Sequence, residues 1–420
     1  MGRTCVAASA RGRSSSAWKR PPPSSTRSRP GSPRAVEQPT MRILFTKRAF
    51  APMGGSESLT YQFATRLAAR GHDVRVVCGQ AFDDRPRFLE RGVDVIQVKP
   101  RGGFLGMVAD ASTLVDLMRI EELERWAEDR DLIHNVGREY LDSSLAVSAS
   151  LDVPIVLTPL AHPGQFHGGD APADFERYRH ANAITTMTEW ERGWYAAHGI
   201  DPYRVVTTGM GPNAARSNDG PQFRRRHGIP QDAPIILYVG RRERYKGFIH
   251  LLDSAEIVWH RYPDARFVFI GMAGFYGAVV DEFARYTDER IVAVERATSA
   301  ERSDALAACD IYAMPSIHET FGIGYLEAWL HDKPVIGGDI PPLREVITHG
   351  TDGVVVAQRI DDIAAAIVAL LDDPALRAQM GAAGHAKLLE RWDWEQVMDR
   401  VEEAHRRAVA AHVPADEALA

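Results

Sequence analysis

At 420 residues, with 45% hydrophobic and 25% charged, the chain has the length and balance of a soluble globular protein of two or three domains, and no run approaches the ~18 apolar residues of a membrane span. The net charge of −6 is uneven: residues 1–40 carry +7 and the rest −13, which argues against sequence-independent nucleic-acid binding. Cys5, Cys78 and Cys309 lie far apart with no CxxC, which excludes a disulfide framework and a structural zinc site and fits a reducing, cytoplasmic setting.

Residues 1–40 are rich in Arg, Ser and Pro and cannot bury enough apolar surface to fold. They read as a disordered extension. Met41 directly opens a strand, so a start codon placed too early is the simplest expectation, ahead of a functional tail or a targeting peptide. From Met41 strands and helices alternate. Strand 42–46 leads through a Gly-rich loop to a helix over 56–70, then come strands at 73–78 and 93–98 and a helix around 111–129. Strand 131–136, helix 141–150, strand 153–158, helix 172–180, strand 182–187, helix 188–198 and strand 203–208 follow. Gly, Pro, Asn and Ser then accumulate as in a linker. The alternation restarts with strands at 234–240, 265–271, 290–294, 310–315, 334–338 and 353–356. Helices are expected at 247–262, 277–287, 299–308, 322–332, 341–347 and 360–371. A last amphipathic helix, about 395–410, is placed to cross back onto the first half. The expected fold is α/β, with two doubly wound Rossmann-like domains facing across a cleft. Its boundaries are an extension at 1–40, a first domain at 41–211, a linker at 212–233, a second domain at 234–393, and the crossing helix and tail at 394–420.

The most informative segment is 314-MPSIHETFGIGYLEAWLHDKPVIGG-338. A strand ends at Pro315 and a loop opens a helix near Phe321, Gly322 and Ile323, where free N–H groups suit a phosphate. Glu319 in the loop and Glu327, expected two turns into the helix, can accept bonds from hydroxyls on either side of that phosphate. The plain alternative is a helix cap at Glu319 and a solvated Glu327, which the apolar neighbours of Glu327 oppose. Segment 237-LYVGRRERYKG-247 supplies counter-charge: Arg241 and Lys246 are the candidates for holding two phosphates and stabilising a leaving diphosphate, while Arg242 and Arg244 are expected to face solvent. In 52-PMGGSE-57, Gly54 and Gly55 allow a ligand close to the backbone; an ordinary tight turn is the alternative. His162 follows strand 153–158 at its carboxyl end and can bond a sugar hydroxyl or take a proton. His167 is the weaker candidate in the same loop, and no metal site is expected from the pair.

Taken together, these segments resemble the GT-B-fold retaining glycosyltransferases of the GT4 family (glycosyltransferase group 1) over about residues 41–400. The carriers are Glu319-x7-Glu327 within H-E-T-F-G-I-G-Y-L-E-A, K-P-V-I-G-G after it, VGR…KG at 239–247, P-x-G-G at 52–55, and 182-NAITTMTEWER-192. The resemblance implies Glu319 on the donor hexose, Glu327 on the ribose, Arg241 and Lys246 on the diphosphate, and His162 near the donor sugar. Donor contacts are also expected at Gly54, Gly55, Phe321, Gly322 and Ile323. Segment 207-TTGMGPNAA-215 departs from the family's usual hinge. The implied activity is retaining transfer of a hexose from a UDP- or GDP-linked sugar, with no metal or cofactor and no nucleic acid, to a carbohydrate, lipid or small-molecule acceptor. Lipid-acceptor members of the family touch the inner face of the membrane, so peripheral contact stays open. A GT-B phosphorylase or epimerase and a catalytically inactive nucleotide-sugar-binding protein are the rival readings.

Overall fold

Two parallel sheets divide the chain. The computed structural model describes residues 39–52, 54–99, 118–165, 168–273 and 282–412; the extension before them, the first parts of the helices expected at 111–129 and at 277–287, and His167 lie outside the described residues. Residues Thr40–Ala420 form one compact unit.

The first sheet has eight strands: β1 (Arg42–Phe50), β2 (Asp73–Ala81), β3 (Arg87–Glu90), β4 (Val93–Gln97), β5 (Leu132–Val136), β6 (Ile155–Thr158), β7 (Ala183–Thr186) and β8 (Val205–Thr207). Their order is β3-β4-β2-β1-β5-β6-β7-β8. All pair in parallel except β3 with β4, an edge hairpin closed by Arg91 and Gly92. Both turn residues take positive φ, 48° and 86°, as a two-residue hairpin turn requires. The second sheet holds β9 (Ile235–Val239), β10 (Arg266–Ile270), β11 (Ile291–Val294), β12 (Ile311–Met314), β13 (Val335–Gly338) and β14 (Gly353–Val356), in the order β11-β10-β9-β12-β13-β14. The central strands are buried on both faces, so they read as nearly unbroken apolar runs. In each sheet the order reverses beside the first strand, at β1/β5 and at β9/β12, and the crevice beyond those carboxyl ends is where such sheets bind ligands.

Of the helices, α1 (Ser56–Ala69), α2 (Ile120–Ala127), α3 (Leu141–Leu151), α4 (Pro172–Arg179) and α5 (Glu189–Ala197) belong with the first sheet. The stretch expected as linker holds α6 (Gly220–Arg226). Arg224 in α6 is buried and donates to the carbonyls of Pro230, Ala233 and Ala308, and a Cβ on Gly220 would sit 2.8 Å from the Ala308 nitrogen. Residues from about 220 are therefore packed into the second domain, and the linker is shorter than 212–233. The second domain continues with α7 (Phe248–Trp259), α8 (Ser299–Ala308), α9 (Ile323–Leu330), α10 (Pro341–Val346), α11 (Ile360–Asp372) and α12 (Pro374–Arg391).

The last helix, α13 (Trp394–Ala411), leaves the second domain and packs on α1 and on β5 to β8 of the first sheet. Two tryptophans secure the crossing. Cβ atoms on the hinge residues Gly209 and Gly211 would lie 2.8 Å from Trp392 and 2.6 Å from Trp394, so only glycine lets the two crossing segments meet. Trp394 Nε1 also donates to the Pro212 carbonyl at 2.9 Å. Deeper in, His405 Nε2 meets His134 Nδ1 at 2.9 Å, and His134 Nε2 meets Thr158 Oγ1 at 2.7 Å. Among the described residues no helix is long and apolar enough to cross a membrane.

Candidate active site

Three buried tyrosines fix the carboxyl edge of the second sheet. Tyr238 donates to the Arg241 carbonyl at 2.6 Å, Tyr312 to Val239 at 3.2 Å, and Tyr325 to Met314 at 2.6 Å. The loops after β9 and β12 are then stitched together. Ile317 N donates to the Tyr245 carbonyl at 2.9 Å, and Gln358 Nε2 bridges the carbonyls of Tyr245 and Pro315 at 3.0 and 2.7 Å. This stitching brings Lys246 and Glu319, 73 residues apart, into a direct ion pair between Nζ and Oε1. Both side chains are largely buried, at 14% and 9% exposed. Burial works against the lysine's charge, but the adjacent Glu319 carboxylate outweighs it and the pKa of Lys246 is raised.

Beyond Glu319 the chain turns through Gly322 at φ +81° into α9. No side chain caps this helix start, so its first N–H groups stay available to an anion. The Phe321 ring is buried edge-on against Trp392, with centroids 5.3 Å apart; its side chain belongs to the core, which leaves its backbone as the part that can face a donor. Ile323, half-buried, opens the helix. Glu327 sits about one turn into α9 rather than two, since the helix opens at Ile323. It is 3% exposed. Burial raises its pKa, while Arg302, at 3.8 Å, and the backbone N–H groups of Asn213 and Ala214 in the hinge pull it down. The carboxylate thus ties α9 to the hinge. It is neither a solvated helix residue nor a free group in an open pocket.

Arg241 has a 65% exposed side chain, 3.7 Å from Glu243. Arg242, expected to face solvent, is instead buried; it pairs with Glu295 at 2.9 Å and lies over the Phe283 ring at 4.8 Å. Arg244 is exposed, as expected.

From the first domain, the loop after β6 brings His162 to this place. Its Nδ1 is shut off from solvent without a partner among the described residues. Burial drives its pKa down to about 4; Glu319 opposes this, and Lys246, His318 and Arg138 reinforce it. His162 therefore lies within electrostatic reach of both members of the second-domain pair and is neutral at pH 7. A Cβ on Gly164 in the same loop would stand 4.0 Å from His318 Cε1, so the two loops face each other closely. Gly54, at φ +93°, and Gly55 precede α1, and a Cβ on Gly55 would meet nothing within 4 Å. Ser58 Oγ donates to both glycine carbonyls, at 2.7 and 3.1 Å, and the hinge residue Asn213 donates to Ser58 Oγ.

Sequence reasoning missed a charged cluster in the second half of β1 and just past β5. Buried Lys47 bonds both oxygens of Glu139, at 3.1 and 3.2 Å. Arg48 stands 3.9 Å from Glu139 and 3.7 Å from Glu57. A lysine directly after the apolar run of β1 was the available signal. Among the described residues no three His, Cys, Asp or Glu side chains are grouped to hold a metal ion.

Residues 219–387 match the family model described as glycosyl transferases group 1, and residues 54–211 match the glycosyl transferase 4-like domain. The chain belongs to the group 1 glycosyltransferases. A GDP-mannose-dependent monoacylated alpha-(1-6)-phosphatidylinositol monomannoside mannosyltransferase of Corynebacterium glutamicum is 31% identical to this glycosyltransferase over 194 residues, which cover 44% of this chain and about half, 51%, of that protein. The D-inositol 3-phosphate glycosyltransferase of Kineococcus radiotolerans is 29% identical over 401 residues, 85% of this chain and 91% of that one. Among solved structures, Anabaena Alr3699/HepE in complex with UDP and glucose aligns with a TM-score of 0.71 at 20% identity, covering 87% of this chain and 99% of that one. Sucrose-phosphate synthase from Thermosynechococcus elongatus aligns at 0.73 and 18% identity, covering 88% and 99%. At such identities the likeness shows the fold, which is GT-B.

Proposed function

We propose that this chain transfers a hexose from a nucleoside-diphosphate sugar to an acceptor hydroxyl, with retention of configuration, in the crevice between the two sheets. The observation that carries the reading is the buried Lys246–Glu319 pair at an uncapped helix start, opposite His162. A diphosphate at the start of α9 would draw Lys246 from Glu319 and recruit the exposed Arg241, so two cations and the helix end would stabilise the charge that builds as the leaving group departs. Glu319, released, would accept bonds from hexose hydroxyls. Neutral His162 suits a hydrogen bond to the sugar through its unpartnered Nδ1 and is a poor acid at pH 7. Glu327 keeps lone pairs for ribose hydroxyls beside its hinge contacts, because a carboxylate offers about four acceptor sites.

Retention needs either a covalent intermediate or attack from the face that the diphosphate leaves. Glu139, the buried first-domain carboxylate at the crevice, is committed to Lys47, which favours the second route. In that route the acceptor oxygen bonds to the anomeric carbon as the sugar–phosphate bond breaks, and the acceptor proton passes to the departing phosphate oxygen. The two donor chemistries named for relatives, GDP-mannose and UDP or UDP-glucose, frame the test. Purified protein is incubated with UDP- and GDP-linked glucose and mannose, alone and with sugar, cyclitol-phosphate and glycolipid acceptors, and nucleoside diphosphate release is followed. Release that depends on one donor and one acceptor class supports the reading. Tight donor binding without release from any pair would leave a binding protein instead.

A further inference from the structure

We propose that Glu345 is a positioning residue that clamps the second domain to the first and so holds His162 in register with Glu319 and Lys246. The start of α5 is the motive. A helix begins with four N–H groups that have no partner within it, and α5 finds acceptors for its own in two different domains. Thr188, the residue before the helix, accepts from Glu191 N at 3.2 Å through its side chain. Two more are met from across the crevice: Glu345 in α10 accepts from Glu189 N and from Trp190 N, each at 2.8 Å, with one carboxylate oxygen apiece. The pairing is bidentate, charge-assisted and placed on the positive end of the helix.

The placement gives the contact its reach. Helix α5 follows β7, which pairs with β6, the strand that delivers His162. Helix α10 follows β13, which pairs with β12, the strand that delivers Glu319. The clamp therefore joins the elements next to the two halves of the active site. Its geometry tolerates little displacement, since two short bonds to adjacent N–H groups fix both distance and orientation. Opening the crevice at this side would hand both N–H groups to water. Glu189, bonded to Arg192 at 3.3 Å, and buried Glu191, whose second oxygen accepts from Met187 N at 2.8 Å, are the acidic groups on the same helix end. Burial pushes the Glu191 carboxyl up to about 8, so it is protonated at neutral pH and leaves the positive helix end to Glu345.

The kinetic part of the test rests on the transferase reading; the scattering part does not. The full-length chain is compared with Glu345→Ala, Glu345→Gln and Thr188→Ala. Four properties are read: kcat and donor KM, affinity for the free nucleoside diphosphate, melting temperature, and radius of gyration by X-ray scattering. Glu345→Ala is expected to lower kcat about tenfold or more, since small misplacements of reacting groups are costly. It should enlarge the radius of gyration and leave diphosphate affinity within about twofold, because that ligand is bound from the second domain. Glu345→Gln should fall between, and it carries the test if the alanine variant does not fold. Thr188→Ala removes a cap from the same helix end without touching the clamp, so its melting temperature should fall while kcat holds. An unchanged radius of gyration in both Glu345 variants would overturn the proposal. So would a Thr188→Ala variant that matches Glu345→Ala in kcat, because the effect would then be loss of a helix cap alone.

Discussion

At the residue scale, the proposed chemistry rests on one lysine and two glutamates with different surroundings. Lys246→Ala should slow transfer roughly 100-fold, the usual cost of losing one charge contact to a developing anion. It should also lower the melting temperature, because Glu319 would be left buried and unpaired. The double variant Lys246→Met/Glu319→Gln removes both charges, and should recover most of the melting temperature while remaining inactive. Recovery of turnover in that variant would show that the pair is structural. The meeting of Lys246, Glu319 and His162 at one crevice was legible in the sequence because each follows a strand at its carboxyl end. Arg242 was misread, because nothing local announces that Glu295 and Phe283 come from distant segments to bury it. Lys47 and Glu139 were missed for the same reason, being 92 residues apart and meaningful only as a pair.

At the element scale, α9 and its approach are shaped by contacts that glycine permits. Gly324 lies in the first turn, where alanine would ordinarily favour the helix by about 1 kcal/mol. Here a Cβ would stand 2.0 Å from Tyr312 Oη, the hydroxyl that caps the end of β9. Gly324→Ala should therefore destabilise the protein by about 1–3 kcal/mol, the usual cost of overpacking, measured by denaturant unfolding. Tyr312→Phe in the same chain should restore part of the loss by making room. A neutral or stabilising Gly324→Ala would contradict this packing. Most elements were legible from periodicity. Those missed were β3, whose four residues are too short to show a pattern, and α6 and α12, whose neighbourhoods are rich in Gly, Pro and charge. The loop that carries Glu319 gives way to the helix within a residue of the expected start, just after Gly322 at positive φ.

At the scale of the whole molecule, α13 joins the domains through a buried histidine pair. Burial holds the pKa of His134 down to about 3 and that of His405 well below its ordinary 6.5; His72 and Arg406 add to the effect at His405. His162 is lowered to about 4. All three bind fewer protons folded than unfolded. Their contribution to stability is thus present above about pH 6.5 and is lost as pH falls toward 4 and 3. The melting temperature should drop over that range, and His405→Leu should flatten the slope even though its midpoint at pH 7.5 is lower. An equal slope in parent and variant would place the acid sensitivity elsewhere. The crossing itself was legible from the apolar stripe of the last helix. Its histidine contact was not, since it pairs residues 271 positions apart. The central claim is that the second domain holds the donor with Glu319 on the hexose and Glu327 on the nucleoside side. Ribose lies away from the bond being broken, so its contact should be similar in ground and transition states, whereas a contact to the reacting sugar can strengthen as the bond breaks. The direct measurement is calorimetric titration of the free nucleoside diphosphate into Glu319→Gln and Glu327→Gln, set beside their kcat and donor KM. Glu319→Gln should lose kcat and keep diphosphate affinity, and Glu327→Gln should lose affinity for both diphosphate and donor; the reverse pattern, or no change in either, would contradict the account.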